Sequence, residues 1–302
     1  MSAPMPAVSL VSTPGRRRWA VEAAVEVEQR GFSGVFCPSL GDALGLCHSI
    51  SAATETLVVG TSIQPIYLQH PVALASAAAH LHEVSGGRFR LGVGVTHGPV
   101  IERLGVATGR PLADMRSYVG AMRATSDGQG GLPPIDLATL RDRMVQLSVE
   151  IGDGAVWANA SRSRMAHSLG LVPAERLEGG FRVANMIPTV IDDDLEAARA
   201  RNRSTLRGYV ALPNYRNYWI DAGYGEEMEA AGAALASGDD DALSAAMTDE
   251  WLDDATLSGP VARVREGVEA WFDAGLTEPI LVPSSTSGGQ RVALGELFDA
   301  YS

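Results

Sequence analysis

The sequence predicts an α/β fold of the (β/α)8 TIM-barrel class. Predicted strands and helices alternate along the 302 residues. The strands are short apolar or β-branched runs, which are typical of buried parallel strands, and the connections are short enough to form βαβ units. A barrel of this class needs about 250 residues. We therefore expect residues 1–302 to form a single domain.

The clearest βαβ unit lies between residues 57 and 99. Two apolar strands flank an alanine-rich helix. Pro71 suits the first turn of that helix, with His70 as its N-cap, and the glycine pair at 86–87 ends it after Val84. Since both connections are short, we expect the two strands to be parallel with a right-handed crossover.

The other strands are inferred in the same way from short apolar runs. They are expected at residues 7–12, 34–37, 135–138, 155–158, 181–190 and 279–282. The other helices follow from apolar residues at helical spacing. They are expected at 16–30, 42–54 and 111–124, in a segment with Leu140, Met144, Leu147 and Ile151 on one face, in a long helical region up to about Leu257, from Pro260 to Gly275, and in a closing segment with Leu294, Leu297, Phe298 and Tyr301.

Charge and composition argue against several classes of partner. The net charge is −12, and all 24 basic residues are arginine, so we expect no binding of nucleic acid. We interpret the one basic run, Arg16–Arg18, as the solvated start of the first helix and not as a phosphate patch. The absence of lysine excludes Schiff-base chemistry and lysine–phosphate contacts.

The cysteines and the apolar runs bear on location and on metals. Cys37 and Cys47 are expected to be buried thiols in a reducing compartment. No apolar run is long enough to span a membrane, and the first arginines follow a short apolar stretch, the reverse of a signal peptide. We therefore expect a cytoplasmic protein without membrane contact. The histidines show no metal-ligand spacing, so no metal site is expected.

Four segments carry a family resemblance. They are SGGRF at Ser85–Phe89, LGVGVTH at Leu91–His97, LPNYR at Leu212–Arg216, and the helix–strand unit Ser258–Leu281. Together they resemble the luciferase-like flavin and deazaflavin oxidoreductases, and within them the actinobacterial enzymes that use coenzyme F420. The resemblance covers most of the chain. It implies hydride transfer between the deazaflavin C5 and a small organic substrate.

One connection departs from the family pattern. Relatives place a longer insertion, with extra strands, between the helix after the fourth strand and the fifth strand. In this chain only Thr125–Pro134 remains. Because that insertion commonly helps to cover the mouth of the active site, its shortening puts lid closure in question.

The first candidate site follows the third strand at Gly60–Gln64. By resemblance, the Ser62–Ile63 bond would be a non-proline cis peptide that bulges against the deazaflavin ring, and Ser62, Ile63 and Gln64 would bind the cofactor. The alternative is an ordinary β-bulge at the barrel rim.

The second candidate site follows the fourth strand. By resemblance, the backbone of Gly94, Val95 and Thr96 would face the cofactor. His97 is the best-placed titratable residue, and we predict that it is catalytic, because an imidazole can donate a hydrogen bond or a proton to the substrate. The alternative is a histidine that caps a loop or holds the following helix.

The third candidate site follows the fifth strand at Ala138, Thr139, Leu140 and Arg141, which would bind the cofactor. Relatives often have glycine at the position of Arg141, where the backbone approaches the cofactor tail. Arg141 therefore either pairs with a phosphate or blocks the cofactor, and the sequence does not decide between the two.

Three functions remain open. The leading prediction is an F420-dependent oxidoreductase. The first alternative is an FMN-dependent monooxygenase of the same fold, whose phosphate would need an arginine here. The second is a degenerate barrel that binds a ligand or partner without redox chemistry, since Cys37–Leu40 lacks the acid and histidine that many F420 enzymes place after the second strand. A homodimer is expected from the resemblance alone.

Overall fold

Strands and helices alternate along the chain as the sequence predicts. The structure is a computed structural model that describes residues 4–125, 128 and 130–302. The described residues contain ten strands. They are β1 (Ala7–Ser9), β2 (Gly34–Cys37), β3 (Val58–Thr61), β4 (Gln64–Pro65), β5 (Phe89–Gly94), β6 (Ile135–Ala138), β7 (Gly154–Ala158), β8 (Arg182–Ile191), β9 (Leu257–Gly259) and β10 (Glu278–Ser284).

The helices lie between successive strands, and the last one follows β10. They are α1 (Arg17–Gln29), α2 (Ala43–Ala53), α3 (Pro71–Val84), α4 (Gly98–Leu104), α5 (Pro111–Ala124), α6 (Asp142–Ile151), α7 (Met165–Leu169), α8 (Ala174–Glu178), α9 (Leu195–Val210), α10 (Pro213–Asp221), α11 (Gly225–Ser237), α12 (Asp240–Ala246), α13 (Asp249–Ala255), α14 (Val261–Asp273) and α15 (Gln290–Ala300).

The chain divides into two compact units. Unit 1 holds the described residues up to Trp157 together with Leu171–Ala184, and unit 2 holds Ala158–Gly170 and Asn185–Ser302. Strand β8 begins in unit 1 and continues in unit 2. The expectation of a single domain stays a prediction.

Unit 1 is built from parallel strands with helical crossovers. β1 pairs with β2, β2 with β3, β3 and β4 with β5, β5 with β6, and β6 with β7, always in parallel. The strands are buried and rich in valine, as expected for parallel strands covered on both faces. Because all of them point the same way, their carboxyl ends lie at one edge, where α/β folds place their chemistry.

A buried ionic cluster lies at the amino-terminal ends of these strands in unit 1. Asp136 is 1% exposed, and its Oδ1 accepts from Arg90 Nη2 at 2.6 Å while its Oδ2 accepts from Arg182 Nη1 at 2.7 Å. The Arg182 guanidinium also lies 4.1 Å from the centre of the Phe36 ring. Both oxygens of the buried carboxylate are therefore paired, at the end of the strands opposite the candidate site.

Unit 2 contains the rest of β8, with β9 and β10 and most of the later helices. β9 pairs in parallel with β8, and Val190 lies opposite Ser258. Asn202 of α9 donates to the Leu257 carbonyl at 3.0 Å and to Ser258 Oγ at 2.8 Å. A buried amide side chain therefore fixes α9 against β9.

Each of the eight predicted strands overlaps an observed strand, and helix Pro71–Val84 has the predicted bounds. His70 is its N-cap, since its Nδ1 accepts from Val72 N at 3.3 Å. Two details were wrong. The first strand ends at Ser9 and not at residue 12, and the long helical region ends at Ala255, because Leu257–Gly259 is a strand paired with β8.

The predicted loop 125–134 includes three residues that the structure does not describe. Ser126, Asp127 and Gln129 lie outside the described residues. α5 ends at Ala124 and β6 begins at Ile135, so the connection is short, as predicted. Among the described residues, no helix is long and apolar enough to cross a bilayer.

Candidate active site

Three predicted site segments meet at the carboxyl ends of β3, β5 and β6 in unit 1. A Cβ placed on Gly94 would lie 2.7 Å from Ala138 Cβ and 2.9 Å from both Cγ1 and Cδ1 of Ile63. Glycine at position 94 therefore lets the Ile63 side chain lie over β5 and approach β6. The structure thus brings Ile63, Gly94 and Ala138 together, and the other predicted residues follow along the same three segments.

The Ser62–Ile63 peptide bond is cis, as the family resemblance predicted. The segment is held by hydrogen bonds from both sides. Ser62 N donates to the Cys37 carbonyl at 2.9 Å, and Thr61 Oγ1 donates to the Gly92 carbonyl at 2.8 Å. A Cβ on Gly92 would overlap the Thr61 carbonyl oxygen, so this close approach requires glycine. Cofactor contact by Ser62, Ile63 and Gln64 stays a prediction.

The segment continues into the short strand β4, which consists of Gln64 and Pro65. In its pairing with β5, Gln64 lies opposite Val93 and Pro65 lies opposite Gly94. Ile63 and Gln64 are half-buried, whereas Ser62 is 7% exposed. The hydroxyl of Ser62 has no hydrogen-bond partner among the described residues. It is a buried polar atom at the candidate site that a ligand could satisfy.

The second predicted segment leaves β5 at Gly94 and leads into α4. Val95, Thr96 and His97 are half-buried. His97 is the N-cap residue of α4 but its side chain makes no capping hydrogen bond; its carbonyl accepts from Val100 N at 2.9 Å. Burial lowers the pKa of the His97 imidazole, so the ring is neutral at neutral pH and can donate one N–H and accept at the other nitrogen.

The third predicted segment extends β6. Thr139 N donates to the Val156 carbonyl at 2.9 Å, so the ladder with β7 continues one residue past Ala138. Thr139 is 5% exposed, and its hydroxyl has no partner among the described residues. Leu140 is half-buried, and Arg141 is exposed at the N-cap position of α6.

The sequence did not identify a tyrosine that follows β4. Tyr67 Oη donates to Asp114 Oδ2 at 2.7 Å, and the same oxygen accepts from Gly109 N at 2.8 Å. Burial and this hydrogen bond raise the pKa of Tyr67, which keeps it a donor. Asp114 therefore fixes the loop before α5 to the segment after β4. No local pattern links residues so far apart, and the only signal was a tyrosine just past a strand end.

Unit 2 carries a separate polar strand end. Asn159 follows β7 with a left-handed φ of 58°, and its carbonyl accepts from Trp219 Nε1 at 3.2 Å. Ser161 N donates to Tyr218 Oη at 3.0 Å, and Ser161 is fully buried. Trp157, the neighbouring residue in unit 1, is also fully buried.

The chemistry available at the three segments of unit 1 is hydrogen bonding and proton placement. Among the described residues, no three histidine, cysteine or acidic side chains are grouped so that they could hold a metal ion. The buried hydroxyls of Ser62 and Thr139 and the apolar Ile63 side chain suit a flat, partly polar ligand such as a flavin-type ring. The residues therefore fit the group that the resemblance implies.

Comparison with known proteins points to one family. The family model for luciferase-like monooxygenases matches residues 4–278. A relative from Mycobacterium tuberculosis, named a putative coenzyme F420-dependent oxidoreductase, is 27% identical over 315 residues, covering 87% of this chain and 90% of its own length.

Solved structures show the same fold. The coenzyme F420-dependent tetrahydromethanopterin reductase from Methanopyrus kandleri superposes with a TM-score of 0.76 at 15% identity, covering 99% of this chain and 98% of that chain. The oxygenating constituent of 3,6-diketocamphane monooxygenase from Pseudomonas putida, in complex with FMN, gives a TM-score of 0.67 at 15% identity over 98% and 96% of the two chains. The fold is the predicted (β/α)8 barrel.

Proposed function

The chain belongs to the luciferase-like monooxygenase family, and from this we propose that it is a deazaflavin-dependent oxidoreductase that transfers a hydride between coenzyme F420 and a small organic substrate. The matched proteins include an F420-dependent reductase, a relative named a putative F420-dependent oxidoreductase, and a monooxygenase solved in complex with FMN. The cofactor is therefore of the flavin or deazaflavin type, and F420 is the choice that the sequence motifs favour.

The observation that carries the proposal is the packing of Ile63 and Ala138 against Gly94. It places three predicted segments at one edge of unit 1, with the unpartnered hydroxyls of Ser62 and Thr139 beside them. In the proposed complex, Ile63 supports the ring from one side. Ser62, Gln64, Val95, Thr96, Thr139 and Leu140 supply backbone and side-chain contacts to its edge and tail.

F420, when bound, supplies a carbon that accepts or gives up a hydride. The protein supplies position, a dry surface and proton control. We assign His97 the role of holding a substrate oxygen and exchanging a proton with it at one ring nitrogen. Because burial favours its neutral form, it can serve as a donor without adding a charge to the site.

FMN is the second candidate cofactor, because a structural neighbour is solved with FMN. This chain has no lysine, so an arginine would be its permanently charged phosphate ligand, and Arg141 belongs to the third predicted segment. A homodimer is a further proposal from the family resemblance, and a cytoplasmic location is one from the two buried free cysteines.

The test is a pair of titrations of the purified protein, one with F420 and one with FMN, each followed by fluorescence quenching. Tight binding of F420 with weak binding of FMN would support the proposal and justify a substrate search. The reverse preference would replace it with a monooxygenase. Failure to bind either cofactor would leave the degenerate barrel as the best description.

A further inference from the structure

A cleft of about 380 Å³ opens in unit 1 beside the amino-terminal ends of α1 and α2. It contains none of the residues proposed to bind the cofactor. Its polar lining is Ser12, Arg17, Arg18, Asp42 and Ser49. The cleft is therefore lined by the arginines at the start of α1 and by a buried serine.

The start of α1 is electrostatically unusual. Arg16, Arg17 and Arg18 place three positive charges at the positive end of the helix dipole, where cations are unfavourable. No acidic residue lies in the first turn, and the N-cap makes no side-chain hydrogen bond. The sequence alone suggested a merely solvated helix start, but the structure distinguishes the three arginines by their surroundings.

Arg17 is the arginine that remains available for a ligand. It lines the cleft and has no ion-pair or hydrogen-bond partner among the described residues. Arg18 also lines the cleft, but its Nε donates to Glu22 Oε1 at 3.1 Å. Arg16 is exposed and does not line the cleft. Arg17 thus presents an uncompensated guanidinium to the cleft, in a chain of net charge −12.

Ser12 gives a second, independent indication of a ligand. It is only 2% exposed and lines the cleft, and its hydroxyl has no hydrogen-bond partner among the described residues. Its oxygen is not among the unpartnered polar atoms that are closed to solvent, so a molecule bound in the cleft can reach it. An acceptor oxygen bound in the cleft would satisfy it.

The carboxylate in the lining does not oppose an anion. Asp42 Oδ1 accepts from Gly45 N at 2.9 Å, and a Cβ on Gly45 would overlap that carboxylate. Asp42 is therefore drawn onto the amino terminus of α2, where the helix dipole compensates its charge. Ser49 Oγ donates to the Gly45 carbonyl at 2.9 Å and adds no charge.

We propose that this cleft is a binding site for an anionic group, either a phosphate or a carboxylate. Arg17 would provide charge-assisted hydrogen bonds, the first-turn N–H groups of α1 would be additional donors at the helix start, and Ser12 would donate its hydroxyl. A bound anion would also offset part of the positive charge at the start of the helix.

The test compares Arg17→Ala with Arg16→Ala, which removes the same charge from the neighbouring residue outside the cleft. Both side chains are exposed, so both variants should fold. Thermal unfolding is measured with inorganic phosphate, with glutarate, and with sodium chloride at matched ionic strength. We expect saturable stabilisation of the wild type and of Arg16→Ala by at least one of the two anions, and binding about tenfold weaker in Arg17→Ala.

Each result has a defined meaning. Arg17-dependent stabilisation by phosphate assigns a phosphate ligand, and the same behaviour with glutarate alone assigns a carboxylate ligand. A Ser12→Ala variant with weakened binding would confirm the hydroxyl contact. The proposal is overturned if neither anion gives more stabilisation than sodium chloride, or if Arg16→Ala loses as much binding as Arg17→Ala.

Discussion

The side chain of Ile63 fills the space that a side chain on Gly94 would need. Its Cδ1 lies 2.9 Å from the position of a Cβ on that glycine, and Ala138 Cβ closes the other side at 2.7 Å. Two residues 31 positions apart are therefore fitted to each other at the ends of neighbouring strands. Glycine inside a strand weakens the strand. Its presence at position 94 therefore indicates that the close approach of Ile63 to β5 is needed.

Gly94→Ala tests whether this fit matters for the cofactor. The added methyl group must displace Ile63 or Ala138, and overpacking of this kind costs about 1–3 kcal/mol. We expect a lower midpoint in urea and weaker binding of F420 by fluorescence quenching.

The matched control is Gly120→Ala, in the middle of α5. A Cβ there meets no atom within 4 Å, so the same substitution should stabilise the protein by about 0.5–1 kcal/mol through helix propensity. If Gly94→Ala loses stability as expected but binds F420 as tightly as the wild type, the packing of Ile63 against Gly94 has no role in cofactor binding.

Local signals in the sequence were sufficient for the elements of the site but not for its long-range contacts. Pro71, His70 and the glycine pair at 86–87 define α3 completely, because caps act within one turn. Leu257–Gly259 was missed because a three-residue strand has no periodicity to detect. Its identity depends on pairing with β8, far away along the chain.

The same limit applies to the polar contacts. Tyr67 and Asp114 are joined across 47 residues, and the cleft near α1 is lined by residues of both α1 and α2. The motifs could identify strand ends, since glycines and turns mark them locally. They could not identify which polar side chains meet, because that depends on the packing of elements distant in sequence.

Arg141→Ala distinguishes a phosphate ligand from an obstruction. The side chain is exposed at the start of α6 and does not fill the strand ends, so we expect it to contact the cofactor phosphate. Loss of a charge-assisted hydrogen bond of about 1.5–3 kcal/mol should weaken F420 or FMN binding roughly tenfold or more. The loss should shrink at high salt.

Arg143→Ala is the matched control, since Arg143 is an exposed arginine on the same helix. It should leave the affinity for either cofactor nearly unchanged. Tighter binding in Arg141→Ala would instead mean that the arginine blocks the site, and would support the degenerate barrel.

The protonation of His97 gives a prediction with a defined sign. Burial lowers its pKa in the folded protein, whereas the unfolded chain binds a proton near pH 6.5. The unfolded state therefore binds more protons in the window between the two values, and this residue destabilises the fold as the pH falls below about 6.5. Above that pH it has no such effect.

We therefore compare the Tm of His97→Gln with the Tm of the wild type at about pH 5.5 and at about pH 7.5. The difference, variant minus wild type, should be more positive at the lower pH. His167→Gln, a change at an exposed histidine in unit 2, is the control. If His97 also exchanges a proton with the substrate, His97→Gln should retain F420 binding and lose roughly a hundredfold or more in kcat. A full loss of F420 binding would make His97 a cofactor ligand.

Asp136→Ala probes the buried ionic cluster at the opposite ends of the strands. The substitution removes the carboxylate that accepts from Arg90 and Arg182 at 2.6 and 2.7 Å, and leaves two guanidinium groups without their shared counter-charge. Breaking a buried pair in this way costs about 3–5 kcal/mol, so we expect a large fall in the urea midpoint. Glu150→Ala, which breaks an exposed pair with Arg116, should change the midpoint little. If the two substitutions had similar effects, the cluster would be largely hydrated and its role in holding β5 and β6 together would be minor.

If the expected difference is found, the cofactor affinity of the folded Asp136→Ala protein should equal that of the wild type. The reason is that the cluster lies at the amino-terminal ends of strands whose carboxyl ends carry the site.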